Sequence, residues 1–169
     1  SVNQFFSIDI LSTKNSLHFV DGIFLIALSS LLIGIMGTVP GHELVHRKKN
    51  KFDMQMGNWL LALSWDCAFA VEHVYGHHKN VGLDKDPATA KRGENVYAFI
   101  FKAIKNEQIG AWSIERTRLK MNNSSFFSFK NRMITGYLRS IIISGIAYYV
   151  GGFFGLLTFL LCSFIAKSL

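Results

Sequence analysis

Residues 19 to 40, FVDGIFLIALSSLLIGIMGTVP, carry one charge, Asp21, close to the outer end. A helix needs roughly 20 mostly apolar residues to cross the hydrocarbon core of a bilayer, and this stretch supplies them. A second block, residues 137 to 166, reads YLRSIIISGIAYYVGGFFGLLTFLLCSFIA, with Arg139 near its start as the one charge. It is too long for one untilted span and short for two full ones. Gly151-Gly152 in its middle predicts a broken helix or a tight hairpin. Uncharged runs of this length are rare in soluble domains. There is no internal repeat and no alternating strand pattern. The sequence therefore predicts an all-α fold, an integral membrane helical bundle forming a single partial domain over residues 1–169. Neither block has the flanks of a cleavable signal peptide. The start at Ser1 and the stop at Ser168-Leu169, directly after an apolar run, read as a piece of a longer chain.

The charge lies between the blocks. Of the 18 Lys and Arg residues, 15 fall within residues 41–132, together with nine of the 11 acidic residues. Arg47, Lys48, Lys49 and Lys51 follow the first span almost at once. By the positive-inside rule this middle region faces the cytoplasm. The net charge of +7 is then explained by topology and anionic lipid headgroups rather than by nucleic acid. Cys67 and Cys162 are the only cysteines and both have apolar neighbours. One pair makes no disulfide framework, so both are expected in the core.

Within the middle region, residues 54–71 hold an apolar stretch of about 14 residues that includes Asp66, too short for a confident crossing. The expectation is an interfacial helix or a re-entrant segment packed on protein. Asp86-Pro87 signals a turn or a helix start, with Pro87 suited to a first helical position ahead of Ala88 and Ala90. Residues 94–120 read as an amphipathic helix, with Tyr97, Ile100, Phe101, Ile104 and Gln108 at helical spacing. NNSSFFSFKN at 122–131 reads as a surface loop.

Five of the six histidines form two clusters. His42 and His46 stand four apart in HELVH, which on a helix sets both imidazoles on one face, where one metal can bind both. The segment EHVYGHH repeats that spacing with His73 and His77, and His78 follows directly. His18 stands alone and is read as structural. If both clusters serve one site they must share a membrane side, and two crossings cannot fit in the roughly 25 residues between them. Imidazole-rich sites suit iron, zinc, copper or nickel. Five imidazoles exceed the needs of one tetrahedral zinc, which favours two metals or one metal completed elsewhere. HExxH alone is shared with zinc peptidases, where Glu43 would be the general base; that reading leaves EHVYGHH unexplained. A non-catalytic membrane scaffold with incidental histidines is the third possibility.

Four carboxylates are candidate partners for ligand ring N–H groups. Glu43 and Glu72 flank the ligands, with direct ligation or base chemistry as alternatives. Asp84 and Asp86 are placed to orient a ligand or to cap a turn. On a straight helix Thr38, Ile35 and Leu31 project on the side of His42, one to three turns deeper. They are expected to line a channel leading to the imidazoles, with Pro40 disturbing the register.

GHELVHRK, EHVYGHH, DPATAKRGENVYAF and AWSIERTRL together resemble the membrane-bound alkane 1-monooxygenases, over roughly residues 30–135. These belong with xylene monooxygenases and fatty-acid desaturases to a histidine-box di-iron superfamily. The second box and the DPATAKRGENVYAF run are specific to the alkane hydroxylase branch. The resemblance implies that His42, His46, His73, His77 and His78 are iron ligands. It implies two non-haem Fe ions and hydroxylation of a terminal methyl group with O₂. It also implies electrons from NAD(P)H through a reductase and rubredoxin, a bacterial inner membrane, and a metal site on the cytoplasmic side. The family's remaining ligands, in an NYxEHYG segment and a final HxxHH-type box, do not occur in these 169 residues, so activity of the isolated chain is not expected. Hydroxylation of another hydrocarbon, or desaturation, is the main alternative.

Overall fold

The computed structural model describes residues 18–168, which are helical with turns and contain no strand. The first helix, α1 (Phe19–His46), holds 28 residues and is about 42 Å long at helical rise. At its start the Asp21 carboxylate accepts from the His18 backbone N–H at 2.9 Å, so His18 serves the helix end. The disturbance expected from Pro40 takes the form of a π-helical turn over Gly34–Thr38. Proline lacks a donor and its ring crowds the carbonyl four residues earlier. A widened turn absorbs both effects, and the helix continues to His46.

After a short turn, α2 (Lys51–Ala62) begins at Asn50, whose side chain accepts from the N–H groups of Phe52 and Asp53. It runs antiparallel to α1 at close range. A Cβ on Gly41 would lie 3.3 Å from the Gly57 carbonyl, and one on Gly57 would lie 2.9 Å from Val45. Larger residues at either position would push the helices apart.

Residues 54–71 do not form one helix. The chain reverses through 63–68, with Trp65 at φ 55°, and returns as α3 over residues 69–80. The reversal is closed by backbone bonds from Ser64 and Asp66 to the Leu61 carbonyl. Thr38 Oγ1 donates to Ser64 at 3.4 Å, setting this turn level with α1 one turn deeper than His42. The segment enters and leaves from the same end, which is the re-entrant alternative.

Pro87 does not start a helix. The Asp86 carboxylate accepts from Ala88 N–H and from Thr89 Oγ1, which closes a turn instead. Gly93 sits at φ 78°, outside the helical region. The next helix, α4 (Val96–Met121), begins one residue past Asn95, whose side chain accepts from Tyr97 and Ala98 N–H. Its buried line is Ala111, Glu115 and Leu119. Tyr97 and Phe101, expected on the inner face, are exposed among the described residues. The 122–131 loop is as expected except at its end. Asn131 is fully buried, accepting from Met133 and Ile134 N–H and so starting the last helix.

That last element, α5 (Arg132–Ser168), has 37 residues and would reach about 55 Å if straight. Instead its two ends meet the same turn: Gly136 packs on Cys67, and Lys167 pairs with Asp66. The reversal is at Gly152 (φ 62°, ψ −156°), a conformation essentially restricted to glycine. The second apolar block is thus a helical hairpin.

Outward faces of α1 and α5 are apolar: Phe24 is 71% exposed, Met36 68% and Phe154 75%. Faces of this size and character suit hydrocarbon, not water. Polar groups on their inner sides bond within the protein, as when Ser163 Oγ donates to the Leu63 carbonyl at 2.7 Å and Trp65 Nε1 to Ser144 Oγ at 3.1 Å. Two small cores hold the rest together. Val45, Leu61, Ala70 and Val74 join α1, α2 and α3. Cys67, Ala68, Val71, Ala111 and Met133 join α3, α4 and α5. Both cysteines are free and buried.

Candidate metal centre

The site end of α1 and the return helix α3 face each other, and their histidines converge. His42 Nε2 lies 2.9 Å from His73 Nε2 and 2.9 Å from His46 Nε2. His78 Nε2 lies 3.1 Å from His73 Nε2. One nitrogen from each of His42, His46 and His73 falls within 4.8 Å of the others, the spread of a metal-ligand set. The second cluster spans another π-helical turn, His73–His77. It stacks His77 on His73 with ring centroids 5.1 Å apart, while His78 turns edge-on to join the nitrogen cluster.

The donor chemistry fits a cation. His42 Nδ1 lies 3.4 Å from Glu43 Oε1, which favours the proton on Nδ1 and leaves the Nε2 lone pair inward. Burial, reinforced by the neighbouring histidines, lowers the His73 pKa to about 3, so its imidazole is neutral, the ligating form. With His42 Nε2 unprotonated, its lone pair faces the His46 and His73 nitrogens at 2.9 Å, an arrangement that a shared cation would satisfy.

Asp86 holds His77. Its side chain has no exposed surface, and its Oδ1 lies 2.9 Å from His77 Nδ1. Burial opposes its charge, but bonds from Thr89, His77 and Ala88 outweigh that and hold the carboxyl below its usual range. Glu72 is buried against Gly76 and Gly110, with no bond to a ligand ring; burial and nearby Asp86 push its pKa up. A Cβ at Gly76 would collide with the Glu72 carboxylate, so any larger residue there must displace that carboxylate. Asp84 is exposed and lies on the polar cavity behind α3, away from the ring cluster.

A further layer fixes the second box. The Tyr75 ring takes Lys48 Nζ at 4.5 Å and the Arg132 guanidinium at 4.8 Å from its centroid. Arg132 in turn bonds Glu115, as does Arg118. Burial disfavours the Glu115 charge, yet the two guanidinium groups bring its pKa down to about 2.

A cavity of about 480 Å³ opens on the other side of the imidazoles. Leu31, Ile35 and Thr38 line one wall, with Gly34 and Val39, and His42 and His73 close its end. Phe69, stacked on His73 at 4.3 Å, and Ala166 complete it. Phe69 precedes His73 by four residues, a spacing visible in the sequence. Ala166 carried no such signal, because only the hairpin brings it there.

A family model described as fatty acid desaturase matches residues 17–169. The chain belongs to the fatty acid desaturase family. Within that family it is similar to proteins named as monooxygenases. It is 34% identical over 138 residues to alkane 1-monooxygenase 1 of Pseudomonas aeruginosa, covering 82% of this chain and 36% of the relative. It is 38% identical over 118 residues to the alkane 1-monooxygenase of Ectopseudomonas oleovorans, covering 70% and 29%. A xylene/toluene monooxygenase hydroxylase component of Pseudomonas putida is 27% identical over 121 residues, covering 72% and 32%. The chain thus spans about a third of the length of these curated relatives. Members of this desaturase family hold a metal on histidine boxes, and the imidazole cluster of α1 and α3 is the matching feature here.

Proposed function

We propose that the protein is a membrane-bound hydroxylase that oxidises the terminal methyl group of alkanes or related hydrocarbons. The observation that carries this reading is the apolar cavity that ends on His42 and His73. At about 480 Å³ it falls in the range of small-molecule sites, roughly 300–1,000 Å³, and among the described residues Thr38 is the one polar side chain lining it besides the two imidazoles. A cavity of this kind takes an alkyl chain end-on and presents its last carbon to the imidazoles.

His42, His46, His73 and His78 would hold iron through their converging Nε2 atoms, with His77 oriented by Asp86 as a further ligand. Two non-haem Fe ions, when bound there, supply the activation of O₂. The protein's own contribution is positioning and exclusion of water. Leu31 and Ile35 grip the chain, Phe69 seals the end beside His73, and the carboxylates behind His42 and His77 fix ring orientation. Arg47, Lys48 and Lys49 surround an opening on the far side of His46 and His78. This basic rim suits docking of an acidic electron carrier, a rubredoxin fed by an NAD(P)H reductase. The same charges favour the cytoplasmic side of a bacterial inner membrane.

The test supplies ¹⁸O₂ and n-alkanes of graded length to cells making the protein from its gene. The reading expects ¹⁸O in the primary alcohol. It also expects Leu31→Trp or Ile35→Trp to shorten the chains accepted. An alkene product would favour desaturation, and an unchanged length profile in both variants would contradict the channel.

A further inference from the structure

We infer that Ala166, on the return half of the α5 hairpin, sets the width of the hydrocarbon cavity and so how much branching a substrate can carry. The inference rests on the hydroxylase reading and adds a specificity-determining position from the opposite end of the sequence. The long wall of the cavity belongs to α1, and flexible side chains such as Leu31 and Ile35 can shift along it. Across from them stands a methyl group, Ala166, only 3% exposed.

What gives that methyl group its influence is how firmly its backbone is held. Three residues earlier Ser163 Oγ donates to the Leu63 carbonyl at 2.7 Å. One residue later Lys167 pairs with Asp66 and reaches Glu107 at 3.5 Å. Lys167 and Asp66 are 7% and 6% exposed, so separating them would strand buried charges, which is strongly unfavourable. The helix cannot retreat from the cavity without breaking these anchors. Any side chain larger than alanine at this position must therefore project inward, and a smaller one must leave room. Rigid walls convert such changes into selectivity, because protein interiors repack only partially around a changed volume.

The experiment uses the full protein produced from its gene, loaded with iron and reconstituted in lipid nanodiscs. A straight-chain alkyl diazirine is the probe, competed with n-octane, and labelled peptides are mapped. In the native protein, octane should suppress labelling of the 31–39 segment. Ala166→Phe should reduce that labelling and n-octane oxidation by about tenfold or more. Ala166→Gly should keep n-octane and gain branched or cyclic hydrocarbons, raising their relative turnover by about tenfold. Iron content and melting in detergent show which variants are folded. If Ala166→Phe does not fold, the glycine variant decides, since it adds no bulk. A folded Ala166→Phe that labels like the native protein, or an Ala166→Gly with unchanged substrate ratios, overturns the inference. Absence of octane-sensitive labelling in the native protein would instead sink the hydroxylase reading itself.

Discussion

Asp86 shows how much a single carboxylate can decide. It closes the turn that Pro87 alone would have opened as a helix, and it orients His77 through Nδ1 at 2.9 Å. Asp86→Asn keeps the shape and one acceptor oxygen but gives up the second acceptor, which Thr89 uses, and the charge that polarises the imidazole. Metal affinity, measured by chelator competition, should fall roughly 10- to 100-fold, as for other partners of ligating histidines. Asp84→Asn, at an exposed position, should leave it unchanged. Equal affinities for Asp86→Asn and the native protein would contradict the role. The sequence contained both aspartates two residues apart and could not separate them, because their difference is burial. The histidine pairs were legible for the opposite reason. A four-residue spacing is a property of the helix itself and needs no tertiary contact. That His78 joins the cluster while His77 stacks on His73 depends on a π-helical turn that spacing does not announce.

Among the elements, the apolar blocks and the amphipathic α4 were readable from composition and period. The path of the chain between them was not. Whether residues 54–71 lie flat or dip inward depends on Gly41 and Gly57 letting two helices touch, and on Trp65 taking a positive φ. Of the α4 stripe, Ile100, Ile104 and Gln108 are half-buried while Tyr97 and Phe101 are exposed, because the fully buried line of the helix contains charge. Glu115 looks like a surface residue in the sequence but is fully buried between Arg118 and Arg132. Its pKa is about 2 in the fold against about 4.3 in an unfolded chain. With the folded value depressed, this stabilisation is complete above the unfolded pKa and is lost as pH falls toward 2. It amounts to about 3 kcal/mol. Glu115→Gln should lower the melting temperature in detergent at neutral pH and flatten the loss of stability between about pH 4.5 and 2. A native-like acid profile in the variant would show that the network contributes nothing.

For the molecule as a whole, one arrangement recurs. α1 enters from the apolar side carrying the first histidine pair, the re-entrant segment returns the second, and the α5 hairpin closes behind the turn between them. The apolar cavity lies against α1 and α5, His42 and His73 close its end, and the basic turn lies beyond His46 and His78. On the proposed reading, hydrocarbon, metal and electron supply would follow that order. On that reading the converging imidazoles are an iron site. The direct measurement is metal content by mass spectrometry of the protein purified as its gene encodes it, beside His42→Ala and His73→Ala. About two iron ions per chain are predicted, with most iron lost in either variant while helix content persists. One zinc per chain, or iron retained without His42 and His73, would contradict it.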